Sequence, residues 1–227
     1  MPVNVEAYKK ISLELKEKKI TLVAVSKTKP AEDIMALYDL GQRDFGENYV
    51  QELTDKQAQL PEDIRWHFIG HLQSNKAKYI APFVHLIHGV DSQKLLQEIN
   101  KQGIKINRTI NCLLQVHIAQ EETKFGFDNE ELEALLLSIK NNELNTSHVN
   151  IHGLMGMASF TDDKEQVIKE FRFLKSVFDN STSLLNGTSH NIETLSMGMS
   201  ADYDLAIANG STMVRIGSLL FGERNYK

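Results

Sequence analysis

Short β-branched runs alternate along the whole chain with segments whose apolar residues recur at helical spacing. Residues 21–26 (Thr-Leu-Val-Ala-Val-Ser) read as a first strand, and a helix is predicted over 31–40, stopped at Gly41. A short strand over 43–45 precedes a helix over 48–58, and residues 66–69 form a third strand before a helix near 74–80. Residues 84–90 make the fourth, after which Asp91 is expected to cap a helix carrying Leu95, Leu96 and Ile99. The second half is more regular. Residues 109–116 are almost continuously apolar, as in a strand buried on both faces. Leu132, Leu135, Leu136 and Ile139 then follow an i, i+3, i+4, i+7 pattern. A strand over 149–154 leads to Val167, Phe171, Leu174 and Phe178 on one helical face. Residues 192–196 precede a helix with Ala201, Leu205 and Ala208, and 212–216 precede a short helix around Leu219. Tyr8, Ile11 and Leu15 mark a leading amphipathic helix, and 180–191 is the most loop-like segment.

Strict strand-then-helix alternation implies a parallel sheet. Eight such units point to an α/β fold of the closed (β/α)₈ TIM-barrel type with an extra N-terminal helix, organised as a single domain over residues 1–227. An open doubly wound sheet is the alternative, but no Gly-x-Gly-x-x-Gly follows the first strand to support it.

Composition narrows the partners. With 25 basic and 30 acidic side chains the net charge is −5, which leaves no electrostatic footprint for nucleic acid. The apolar runs are strand-length, so no membrane span is expected. The one cysteine, Cys112, fits a reducing compartment, and the first residues show no secretory pattern, so a cytoplasmic protein is expected.

In a barrel, polar residues at the C-terminal strand ends are the functional candidates. Alternation along the first strand puts Val23, Val25 and Lys27 on one face. If that face is inward, Lys27 stands at the barrel mouth. Burial and the like charge of Lys29 would then lower its pKa and free an amine for imine formation with an aldehyde. The bland alternative is a solvated lysine opening a loop. Ser200 and Gly217-Ser218 follow the last two strands, where barrels of this type commonly hold a phosphate, although a helix cap and a turn would explain the same residues. Arg215 near the end of an apolar strand needs a partner: either a carboxylate such as Glu193, or a ligand in the mouth. The eight histidines show no convincing metal spacing; His67 and His71 flank a strand and its loop, while His85, His88, His117 and His152 fall within strands as hydrogen-bonded core residues. No metal is expected. Cys112 reads as a small buried hydrophobe, and Met155, Met157, Met197 and Met199 as gap fillers.

Several blocks stand in order: Ala24-Val25-Ser26-Lys27-Thr28-Lys29-Pro30, Phe45-Gly46-Glu47-Asn48-Tyr49-Val50-Gln51-Glu52 and Trp66-His67-Phe68-Ile69-Gly70-His71-Leu72-Gln73-Ser74-Asn75-Lys76. His152-Gly153-Leu154-Met155, Leu195-Ser196-Met197-Gly198-Met199-Ser200 and Val214-Arg215-Ile216-Gly217-Ser218 follow. Throughout its length the chain resembles the pyridoxal phosphate homeostasis protein family, whose fold is that of the N-terminal barrel of alanine racemase. The resemblance implies pyridoxal 5′-phosphate held covalently by Lys27 as a Schiff base. It also implies that Ser200, Gly217 and Ser218 hold the phosphate, that Arg215 faces the pyridine nitrogen, and that Asn48, His71, Ser196 and Met199 line the pocket. It is not extended to Lys124, in the fifth loop.

What the resemblance implies is a carrier that buffers the reactive aldehyde and supplies it to other enzymes; a monomer in transient contact with pyridoxal phosphate-dependent apoenzymes is expected. A weak racemase-like enzyme is the alternative. Racemisation needs a base on each face of the planar intermediate, and in the racemases a second domain supplies the opposite one. Eight units use nearly all 227 residues, so that domain is not expected here.

Overall fold

Eight parallel strands pair in sequence order and β8 closes onto β1 in the computed structural model, which describes residues 3–121 and 125–222. Lys124 lies outside the described residues. In chain order the elements are α1 (Val5–Glu17), β1 (Thr21–Val25), α2 (Ala31–Tyr38), β2 (Asp44–Glu47), α3 (Val50–Gln57) and β3 (Arg65–Phe68). Next come α4 (Ala77–Ile80), β4 (Leu86–Val90), α5 (Gln93–Ile106), β5 (Ile110–Gln115), α6 (Asn129–Lys140) and β6 (Val149–Met155). The last are α7 (Lys164–Leu185), β7 (Thr194–Met199), α8 (Tyr203–Ala208), β8 (Met213–Ile216) and α9 (Ser218–Phe221). The expected α/β barrel with a leading helix is therefore the fold. Among the described residues no helix is long and apolar enough to cross a membrane.

Alternation along the strands divides the apolar residues into two bodies. Val23, Leu86, Leu113, Met155 and Met213 meet inside the barrel. A larger layer between strands and helices includes Ala24, Phe45, Phe68, Leu114, Phe171 and Leu195. Tyr8, Ile11 and Leu15 of α1 are buried, as their spacing predicts, and the Asn4 amide donates to the Leu220 carbonyl at 2.8 Å. The leading helix is thereby tied to α9 beside the mouth.

Four local expectations change. Ser92, not Asp91, caps α5 by accepting from the Leu95 amide. The 180–191 segment is helical as far as Leu185, because Ser181 and Leu185 are buried, while Ser181 and Thr182 turn their hydroxyls back to the carbonyls of Val177 and Phe178. Arg43, Val84 and His85 precede their strands, and His117 follows β5, so neither His85 nor His117 is a strand residue. β6 and β7 each extend beyond their predicted ends, to Met155 and Met199.

Candidate functional site

The C-terminal strand ends open into a hollow of about 720 Å³, within the usual range for a small-molecule site. β1 delivers Val25 and Lys27 to its wall, as the inward alternation from buried Val23 requires. Lys29 also lines it, with Nζ donating to the Phe221 carbonyl at 2.7 Å. That contact places a cation on the C-terminal carbonyls of α9 and ties the first loop to the last.

Beside β1, from the ends of β7 and β8 and the residues that follow them, stand Met199, Ser200, Arg215, Gly217 and Ser218. The register of β7 against β8 shifts between Ser196 and Met199, around Gly198 with φ +96°. A Cβ on Gly198 would lie 2.6 Å from that of Ala206, so the irregularity needs glycine twice over. It leaves Ser200 at the rim, where its hydroxyl accepts from the Gly217 amide at 3.2 Å. Ser200 does not cap α8, which begins after Asp202.

Arg215 is buried. The predicted Glu193 partner is not used: one terminal nitrogen donates to the Ser196 carbonyl (2.9 Å) and hydroxyl (2.6 Å), and the other to the Gly156 carbonyl (3.1 Å). Among the described residues it makes no ion pair. Burial lowers its pKa to about 10, partly opposed by the field of Asp202, so it remains a cation at neutral pH. A buried cation held only by neutral acceptors is costly, and such groups cluster at functional sites.

Asn48 joins the wall from the loop after β2. Its Oδ1 is buried and makes no hydrogen bond among the described residues. Gly70 allows the neighbouring loop to press against it, since a Cβ there would lie 2.3 Å from the Asn48 carbonyl. His71 is placed differently: it borders a second hollow that shares Asn48, stacks on Phe125 at 4.2 Å between ring centroids, and its Nδ1 lies 2.9 Å from an Asp91 oxygen. Ser196 lies beneath the mouth, fully buried against Arg215.

The structure thus gathers Lys27, Asn48, Met199, Ser200, Arg215, Gly217 and Ser218 around one hollow, with Ser196 under it and His71 beside it. Sequence reasoning missed the loop after β6 and the start of α7: Met157, Ala158, Ser159 and Phe160, with Lys164, also line the wall. Position after a strand was a usable signal there, but the methionine was read as a gap filler. Glu47 and Lys56 were also missed. Lys56 Nζ donates to Glu47 (2.7 Å), Glu52 (2.7 Å) and the Ser26 carbonyl (2.8 Å), which fixes the backbone next to Lys27.

At the barrel floor, Asp44, His67 and His85 bring ligand atoms within 4.8 Å of one another. Both Asp44 oxygens are already taken by Arg65, however, and His67 Nε2 lies 3.0 Å from Asp44 Oδ1.

The chain is similar to several known proteins. Residues 4–225 match the family model for the alanine racemase N-terminal domain. A pyridoxal phosphate homeostasis protein of Pasteurella multocida is 40% identical over 215 residues, covering 92% of this chain and 89% of its own. The structure of PipY from Synechococcus elongatus with pyridoxal phosphate bound superposes with a TM-score of 0.83 at 34% identity, covering 95% of this chain and 99% of the other. An alanine racemase from Bartonella henselae shares the fold at 16% identity, with a TM-score of 0.71, over 99% of this chain and 62% of that one.

Proposed function

Since the chain belongs to the pyridoxal phosphate homeostasis protein family, we propose that it binds pyridoxal 5′-phosphate in the barrel mouth and holds it for delivery rather than turnover. The observation that carries this reading is the convergence on one hollow of an amine, a buried cation and a hydroxyl–amide rim: Lys27, Arg215, and Ser200 with Gly217.

The donor set fits a phosphorylated aromatic aldehyde. Lys27 offers the amine that would hold the aldehyde carbon covalently. Ser200, Gly217 and Ser218 offer a hydroxyl and backbone N–H groups at the start of α9, which suit a phosphate. Arg215 would face the ring nitrogen, Met199 and Asn48 would line the ring's surroundings, and Ser196 would hold Arg215. His71 would contribute from the adjoining hollow. When bound, the group supplies a reactive aldehyde and an electron-accepting ring.

Arg215 favours holding over turnover. A guanidinium donates a hydrogen bond but hardly gives up its proton, which leaves the ring nitrogen unprotonated and the ring a poor electron sink. Racemases tolerate the same pairing, so racemase activity is the alternative to be measured. The reading further expects a cytoplasmic monomer that meets apoenzymes transiently.

The purified protein should absorb visible light, and borohydride reduction followed by peptide mass mapping should place the label on Lys27. A wild-type spectrum in Lys27→Ala would end that assignment. Transfer of the cofactor to an apoenzyme supports the carrier; robust racemase turnover across a panel of amino acids would overturn it.

A further inference from the structure

A column of polar side chains runs through the barrel interior from its floor to Arg215. It starts at Asp44, the first residue of β2, whose carboxylate is gripped by Arg65 and whose Oδ1 lies 3.0 Å from His67 Nε2. His67 Nδ1 is 2.9 Å from His88 Nε2, His88 Nδ1 is 3.2 Å from the Ser196 hydroxyl, and that hydroxyl is 2.6 Å from Arg215. His67, His88 and Ser196 are fully buried.

Donor and acceptor counting gives this column one direction. Burial alone would raise the Asp44 pKa, but hydrogen bonds from His67 and Arg65 hold it well below the usual carboxylate range, so it only accepts. The proton between Asp44 and His67 therefore sits on His67 Nε2. With that proton on Nε2, the Nδ1 of a singly protonated His67 ring is bare and accepts from His88 Nε2–H. Burial keeps the His88 ring neutral, and its bare Nδ1 then accepts from the Ser196 hydroxyl. With its proton committed to His88, Ser196 turns a lone pair to Arg215. His85, with its ring 5.3 Å from that of His67, flanks the column without forming a link in it.

We propose that Asp44, His67, His88 and Ser196 are positioning residues for Arg215, a single polarised hydrogen-bond chain, anchored by the floor carboxylate, that fixes the guanidinium and the face it turns to the mouth. Two terminal nitrogens of Arg215 are tied to Ser196 and Gly156, so the remaining N–H groups are what it offers a ligand. The consequence for a bound cofactor rests on the function proposed above; the chain itself does not.

The test has two arms, so the two readings fail separately. In the full-length protein without cofactor, nitrogen NMR of labelled histidine at pH 8 should show His67 and His88 both as the Nε2–H tautomer. A scalar coupling should connect His88 Nε2 with His67 Nδ1. Ser196→Ala should move the Nδ1 resonances of both rings, and Ser196→Thr should restore them; Ser181→Ala, a buried serine on α7, is the control for a merely structural effect. An Nδ1–H tautomer at His88, or unchanged resonances in Ser196→Ala, would overturn the chain. In protein loaded with pyridoxal phosphate, Ser196→Ala should shift the pH dependence of the visible band while Ser181→Ala does not; equal spectra would also count against the proposal. Failure of the wild type to take up the cofactor refutes the functional reading, and the tautomers still decide the chain.

Discussion

At the top of β2 the Glu47 carboxyl accepts from Ser26 (2.6 Å) and Lys56 (2.7 Å) through one oxygen, and its other oxygen is buried without a partner among the described residues. Burial outweighs the lysine and raises the pKa from 4.5 to about 7. A raised folded value means that this group's stabilising contribution is complete below its unfolded pKa and is lost as pH rises through about 7. Urea midpoints should therefore fall between about pH 5 and pH 8, and Glu47→Gln should flatten that dependence. Asp44 has the opposite sign. Its depressed pKa contributes stability above the unfolded value of 3.8, lost as pH falls toward the folded one. Asp44→Asn should cost about 2 kcal/mol at neutral pH in equilibrium unfolding, with the gap from wild type closing in acid. Neither group was singled out from the sequence, because a carboxylate's partners lie on other elements and carry no local signature.

At the scale of elements, strand ends and helix starts carry the site. Ser92→Ala removes the cap of α5 and should lower stability by about 1 kcal/mol, whereas Asp91→Ala should spare the cap and instead free His71. Thermal melts of the two variants distinguish them. Gly198 is the sharper case: alanine there would need a disfavoured positive φ and would crowd Ala206. Gly198→Ala should destabilise the fold by more than about 1 kcal/mol and displace Ser200, weakening binding of phosphorylated ligands more than of their dephosphorylated counterparts. Calorimetric titration with pyridoxal phosphate and pyridoxal reads that difference. Helix faces were predicted well because a 3.6-residue period survives any tertiary arrangement. Boundaries were not, since the serine-rich end of α7 owes its helix to the tertiary burial of Ser181 and Leu185.

For the whole molecule, closure of β8 on β1 brings the first strand's lysine next to the last strand's arginine and Gly217. A ligand bridging these ends binds only the closed barrel. Pyridoxal phosphate at a hundredfold over its dissociation constant should then add about 2.7 kcal/mol of stability. For a chain of this size that is a rise in Tm of roughly 5 to 10 °C. Ser200→Ala or omission of the phosphate should shrink the rise. A cofactor-independent Tm would argue against a site at the seam.

Alternating strand and helix periods were enough to specify an eight-unit parallel barrel, and with the fold known, position at strand ends brought Lys27, Ser200, Arg215 and Gly217 forward as candidates. Those properties are local in the chain, so they can be read from it. What tertiary structure alone decided is which polar groups meet: that Arg215 is held by Ser196 and Gly156 rather than Glu193, and that His71 turns to Phe125 and Asp91. Likewise, Ser196 reaches a histidine 108 positions away. Such contacts depend on strand register and on the inward direction of side chains around a closed sheet. No periodicity along the chain encodes them.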